Sequence, residues 1–205
     1  MQSQDDSRQP DFWNERYLTG KTPWDFKGVP SNLLSFLSTS NCQGSVLIPG
    51  CGTGYEVKVF YETGWQVTAI DFSPPAVEQA KSFLGELGEK VILDDFFTFD
   101  FGANQFDIIY ERTFLCSLPP TRWPDYARRM AELLLPEGRL VGIFLYGDEP
   151  EPPPYPLTEQ KTYELFGPYF TITHSDSVSD SLPLFSGMEI WQEWKRKNAT
   201  DKKLK

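Results

Sequence analysis

Gly50-Cys51-Gly52-Thr53-Gly54 sets three glycines at alternate positions directly after the apolar run Ser45-Val46-Leu47-Ile48-Pro49. Glycine has no Cβ, so a turn built this way lets a ligand come close to the main chain. Twenty-one residues after Gly50, a second apolar run, Gln66-Val67-Thr68-Ala69-Ile70, ends in Asp71. A carboxylate at the end of the next strand is placed to accept from the two hydroxyls of a ribose. A third stretch, Lys90–Leu93, leads into Asp94-Asp95-Phe96-Phe97. There Asp95 is placed to hydrogen-bond an adenine amine and Phe96 to stack on the base. The three elements describe a pocket for a nucleoside-bearing cofactor. A dinucleotide fits less well, because its fingerprint is G-x-G-x-x-G/A and the third small position is Tyr55 here.

Other chemistry-bearing residues stand further along. Glu111-Arg112 follows the fourth apolar run, Phe106–Tyr110, at the edge of a sheet where ligands bind. The competing reading of Arg112 is an ion pair with Glu111 or another surface acid. Cys51 reads as a small side chain in tight packing, and Cys116 as core packing, with a place in the substrate pocket as the alternative. Tyr155 sits in a loop with five prolines, Asp148 to Pro156, and either gates the pocket or belongs to a rigid surface turn. The single histidine, His174, nearly excludes a histidine metal site, and no metal is expected.

These residues need strands that end at one edge, and the chain supplies them. Phe12, Trp13 and Tyr17 cluster at helical spacing, and Pro30 to Leu37 reads as a helix. From Ser45 strands and helices alternate. Strands are predicted at Val46–Ile48, Gln66–Ile70, Lys90–Leu93, Phe106–Tyr110, Arg139–Tyr146, Tyr169–Thr173 and Gly187–Trp194. Helices are predicted from Tyr55 to Tyr61, from Ser73 as N-cap, from Thr121 to near Leu135, and over Thr158–Phe166. Pro136-Glu137-Gly138 is predicted as a turn. The fold class is α/β: a doubly wound, mostly parallel seven-stranded sheet with helices on both faces. No helix separates the last two strands, so they form an antiparallel hairpin at one edge. Residues 1–10 are polar and expected to be disordered, residues 11–195 form one domain, and residues 196–205 are a frayed basic tail.

The net charge of −10 argues against a nucleic-acid or anionic-membrane surface and favours a small-molecule substrate. The N-terminus lacks the charge and apolar core of a signal peptide. Three cysteines without metal-like spacing read as free thiols in a reducing cytoplasm.

Taken together, Phe12-Trp13-Asn14-Glu15-Arg16-Tyr17 with Thr22-Pro23-Trp24-Asp25, the Pro49–Gly54 turn, Asp71, Asp95 and Tyr110–Cys116 resemble a class I S-adenosylmethionine-dependent methyltransferase. More narrowly the chain resembles the thiopurine methyltransferase superfamily, with its thiol and halide enzymes, over roughly residues 11–195. The resemblance implies a Rossmann-like fold, S-adenosyl-L-methionine as cofactor, and a monomer. Gly50, Cys51, Gly52 and Gly54 would approach the methionine part, Asp71 the ribose, and Asp95 with Phe96 the adenine. Residues 11–40 would supply a lid whose Trp13 and Trp24 pack near the sulfonium and the substrate. Thiopurine methyltransferases carry arginine at the position of Arg112, where plant halide and thiol enzymes tend to have tyrosine. Arg112 would then act on the acceptor, with Trp24 and Tyr155 beside it.

The expected reaction is methyl transfer to a small soft nucleophile, a thiol or thiolate in the first place. Such a nucleophile needs no strong base, which fits the lack of a histidine in these motifs. The alternatives are a methyltransferase of the same fold acting on nitrogen, oxygen or a metalloid such as tellurite, and a non-catalytic S-adenosylmethionine-binding protein.

Overall fold

In the computed structural model, which describes residues 9–40, 44–103, 105–148 and 152–198, two helices precede the sheet: α1 (Pro10–Thr19) and α2 (Ser31–Thr39). Then follow β1 (Ser45–Pro49), α3 (Tyr55–Glu62), β2 (Gln66–Asp71), α4 (Pro74–Leu84), β3 (Val91–Leu93) and β4 (Phe106–Arg112). The second half holds α5 (Trp123–Leu133), β5 (Leu134–Leu145), α6 (Glu159–Phe166), β6 (Phe170–Ser177) and β7 (Glu189–Arg196). The strand order is β3-β2-β1-β4-β5-β7-β6. The first five strands run parallel, and β7 pairs antiparallel with both β5 and β6. The predicted doubly wound sheet and its antiparallel final pair are present, with β7 inside β6.

Strand parity divides the core into two layers. In β1 Val46 and Ile48 face one side, with Ala69, Ile108 and Tyr110, while Leu47 faces the other with Ile70 and Ile109. Leu33 and Phe36 of α2, Val57 and Phe60 of α3, and Val77 and Ala80 of α4 cover the first face. Tyr126, Ala127 and Met130 of α5 and Leu165 and Phe166 of α6 cover the second. Ser73 caps α4 by accepting from the backbone N–H of Ala76, ahead of Pro74 at the first helical position.

Two boundaries move in ways that matter. β4 runs two residues past Tyr110, so Glu111 and Arg112 lie on the strand and not after it. β5 begins at Leu134, and Pro136-Glu137-Gly138 bulges within it between the pairs Phe106–Leu134 and Ile108–Arg139. The expected N-terminal disorder and frayed tail fall largely outside the described residues, as does Cys42. Pro10 already opens α1, and Arg196 closes β7. Among the described residues no helix is long and apolar enough to cross a membrane.

Candidate functional site

The carboxyl ends of β1, β2 and β4 open into one cavity of about 880 Å³, roofed by α1 and the segment after it. The turn after β1 enters it with positive φ at Gly50 (59°) and Gly52 (52°), a conformation that L side chains rarely adopt. A Cβ on Gly50 would stand 2.5 Å from the Phe114 ring, and one on Gly52 would stand 2.6 Å from the Tyr17 hydroxyl. Both glycines are therefore required by space as well as by dihedral. Gly54 is the N-cap of α3 and faces Leu84 and Ala80, not the cavity. Cys51 lines the cavity floor, and burial pushes its thiol well up.

Asp71 ends β2 at the cavity wall. Its Oδ2 accepts from the Gly52 N–H at 2.9 Å and its Oδ1 from the Ser73 N–H at 2.9 Å. It thus pins the glycine turn to the start of α4. Burial raises its pKa, and the backbone N–H donors oppose that shift. The Phe72 N–H also donates to it, and a carboxylate has about four acceptor positions, so not all are filled. Asp95 lines the same cavity, with Oδ1 accepting from the Phe97 N–H at 2.8 Å. Phe96 lies beside it, edge-on to Phe97 and Phe114.

The roof is aromatic. Trp13 and Trp24 meet edge to face at 5.3 Å, and Trp24 meets Tyr17 at 6.1 Å. Two polar contacts fasten α1 to α4: the Ser73 hydroxyl donates to Asn14 Oδ1 at 2.8 Å, and Gln79 Nε2 donates to the Tyr17 carbonyl at 3.0 Å. The Tyr17 hydroxyl hangs over Gly52, where burial and the Asp71 charge hold it protonated.

Arg112 projects into the cavity from the end of β4, its side chain 9% exposed. The alternative reading, a pair with Glu111, is not what the structure shows, because successive strand residues point to opposite faces. Arg112 instead faces Glu56, in the first turn of α3, at 3.9 Å, and Phe26 covers its guanidinium at 4.6 Å. Its Nε is buried with no hydrogen-bond partner. Glu111 points to the other layer. Its Oε1 accepts from the N–H groups of Phe114 and Leu115, each at 2.9 Å, and its Oε2 from the Tyr126 hydroxyl at 2.6 Å. Burial pushes its pKa up to about 7. This carboxyl anchors the loop that carries Phe114 to the cavity.

Trp13, Trp24, Gly50, Cys51, Gly52, Asp71, Asp95, Phe96 and Arg112 are all brought to the one cavity. Tyr155 is not. Its N–H donates to the Cys116 carbonyl at 2.7 Å, and it borders a separate small void with Cys116, Phe185 and Glu189. Its neighbours Pro153 and Pro154 reach the cavity instead. His174 is exposed on β6. Sequence reasoning missed Glu56, Phe26 and Phe114. Glu56 had a signal, as the only acid in the first turn of α3.

The residues present fit S-adenosyl-L-methionine. Two glycines leave a cradle that a Cβ would fill, Asp71 keeps spare acceptor positions, and an aromatic roof suits a sulfonium.

Comparison with known proteins agrees. The family model for thiopurine S-methyltransferase matches residues 8–197. A probable thiol methyltransferase 2 of Arabidopsis thaliana is 32% identical over 193 residues, 90% of this chain and 84% of that protein. A thiopurine S-methyltransferase of Methylococcus capsulatus is 28% identical, over 80% of this chain and 83% of its own. Among solved structures, a Burkholderia thailandensis 1,6-didemethyltoxoflavin-N1-methyltransferase with bound S-adenosylhomocysteine shares the fold. Its TM-score is 0.75 at 22% identity, over 92% of this chain and 87% of that one.

Proposed function

The chain belongs to the thiopurine S-methyltransferase family and is an S-adenosyl-L-methionine-dependent methyltransferase, and we propose that its acceptor is a small thiol, methylated as the thiolate. When bound, the cofactor supplies an electrophilic methyl group on a sulfonium. Asp71 would hold the ribose hydroxyls, Asp95 and Phe96 the adenine, and the Gly50–Gly52 backbone the amino-acid end. Trp13 and Trp24, in the aromatic roof, would shield the sulfonium from water. Arg112 draws the acceptor sulfur into line and stabilises its anion.

One observation carries the acceptor reading. Arg112 is a buried guanidinium in the cavity whose ion-pair partner Glu56 stands 3.9 Å away, with Glu189 acting on it from further off, and whose Nε has no partner. A buried cation left this open is costly until an anion arrives. A thiolate answers that need with its own charge, whereas an amine or an alcohol brings none. The acidic balance of the chain supports a small-molecule acceptor over nucleic acid, and the free, buried Cys51 and Cys116 support a reducing, cytoplasmic setting.

The test is turnover with S-adenosyl-L-methionine and a panel of alkyl, aromatic and heterocyclic thiols, read by mass spectrometry. S-methyl products and S-adenosylhomocysteine are expected in equal amounts. Methylation of nitrogen, oxygen or tellurite with no thiol turned over would overturn the acceptor assignment.

A further inference from the structure

Five carboxylates line the cavity: Glu15, Asp25, Glu56, Asp71 and Asp95. Glu15 is exposed to solvent. Asp25 Oδ1 accepts from the Lys27 N–H at 2.8 Å, and its carboxylate also meets the Tyr55 hydroxyl. Both Asp71 oxygens and one of Asp95 accept from backbone N–H groups. Glu56 is different. Its side chain is 10% exposed, and only its own N–H and the Arg112 guanidinium at 3.9 Å offset its charge. That gap exceeds a charge-assisted hydrogen bond by about 1 Å. The carboxylate and the cation thus stand apart across the cavity wall and do not lock together.

We propose that Glu56 receives the proton that the acceptor thiol loses, while Arg112 passes from the carboxylate to the new thiolate. The inference rests on the thiol reading above. The S–H bond breaks, its electron pair stays on sulfur, and an O–H bond forms on Glu56. One cation, one anion and one neutral group are present before and after, so the buried site gains no net charge. Methylation consumes the thiolate charge, the Glu56 proton leaves to solvent, and the carboxylate faces Arg112 again.

The groups facing Glu56 are consistent with this role. Arg112 and Tyr110 face it from β4, Asp25 from the segment after α1, Cys51 from the glycine turn and Tyr55 from its own helix. Arg112 is the only cation among them, and burial keeps Cys51 and Tyr110 protonated. Burial also raises the proton affinity of Glu56, toward that of a thiol.

The experiment compares 2-mercaptoethanol, which must lose a proton, with 2-nitro-5-thiobenzoate, already ionised in solution. In the wild-type enzyme, kcat/KM for 2-mercaptoethanol should rise with pH and level off well below the thiol's own pKa. For the ionised thiol it should fall over the same range, because a protonated Glu56 leaves Arg112 to the anion. Glu56→Gln should abolish both limbs and cost 2-mercaptoethanol on the order of 100-fold more than the ionised thiol. Limbs of the same direction in the wild type, or equal losses in the variant, overturn the proposal; the wild-type arm holds even if the variant does not fold. Turnover of neither thiol overturns the thiol acceptor itself, and this role with it.

Discussion

Glu111→Gln separates the cost of a buried charge from the value of its hydrogen bonds. Glu111 is 1% exposed and accepts three hydrogen bonds, yet burial pushes its pKa from 4.5 up to about 7. A carboxyl whose folded pKa is raised stabilises the fold fully below its unfolded pKa. That contribution is lost as pH rises through the folded value. From pH 4.5 to above pH 7 the loss amounts to about 3 kcal/mol. Glutamine is close in shape and does not ionise. Its Oε1 keeps the Phe114 and Leu115 donors, and its amide can donate to the Tyr126 oxygen. One amide N–H is left without an acceptor, so at pH 5 the variant should be less stable than wild type by about 1–3 kcal/mol. By pH 8.5 that deficit should be offset or reversed. In a chain of this size the difference in Tm should swing by about 6–12 °C between the two pH values. Urea unfolding of both proteins at pH 5 and pH 8.5 measures it directly, and every group common to the two cancels. A stability difference that does not change with pH would refute the reasoning, because Glu111 would then titrate like an exposed carboxyl.

Asp71→Ala should weaken binding of S-adenosylhomocysteine by about 10- to 150-fold, the worth of charge-assisted hydrogen bonds, and calorimetry reads it. It should also lower Tm, since the N–H groups of Gly52 and Ser73 lose their acceptor. Gly52→Ala should strain a backbone at φ 52° by about 1–2 kcal/mol and push the Tyr17 hydroxyl aside; a Kd for S-adenosylhomocysteine equal to wild type would count against so close an approach of turn and roof. Arg112→Met should cut kcat/KM on thiols by on the order of 100-fold and leave Glu56 a buried, unpaired acid. Adding Glu56→Gln should restore the lost Tm but not the turnover, and recovery of both would remove Arg112 from the reaction.

The cofactor half of the site was legible because it is local. Three glycines, a strand end and a capped helix follow each other within about twenty-five residues, and each obeys a short-range rule of dihedral or capping. Asp71 was found by its place at the end of the second apolar run. What could not be read from spacing is that backbone N–H groups already hold it, which makes it a clamp on the fold. Glu111 and Arg112 mark the opposite case. Ending the strand at Tyr110 makes them neighbours in a loop and a natural ion pair. Extending it by two residues sends them to opposite faces of the sheet, one into α5 and one into the cavity. A boundary error of two residues therefore changed the partner of Arg112, a cation that lines the cavity. Tyr155 was placed by its loop, but a proline-rich loop does not reveal which side chain turns inward, and Pro153 and Pro154 do so here.

That asymmetry has a physical origin. The groups assigned to the cofactor come from consecutive strand ends, so the sheet fixes their spacing and any sequence that folds this way inherits it. The cavity-lining groups proposed to face the acceptor come from separate parts of the chain: Trp24 and Phe26 from the roof, Glu56 from α3, Arg112 and Phe114 from β4 and the loop after it, and Phe185 from the turn before β7. No two of these segments are held in register by sheet hydrogen bonds except through β4. Their geometry depends on packing, which one substitution can shift without disturbing the fold. The Glu56–Arg112 pair shows the consequence. It joins α3 to β4 across the cavity at the limit of ion-pair distance, and a methylene more or less on either residue would close it or open it. On the proposed reading, acceptor choice would lie in side-chain length and charge at a few such contacts, where the fold leaves the sequence free to vary.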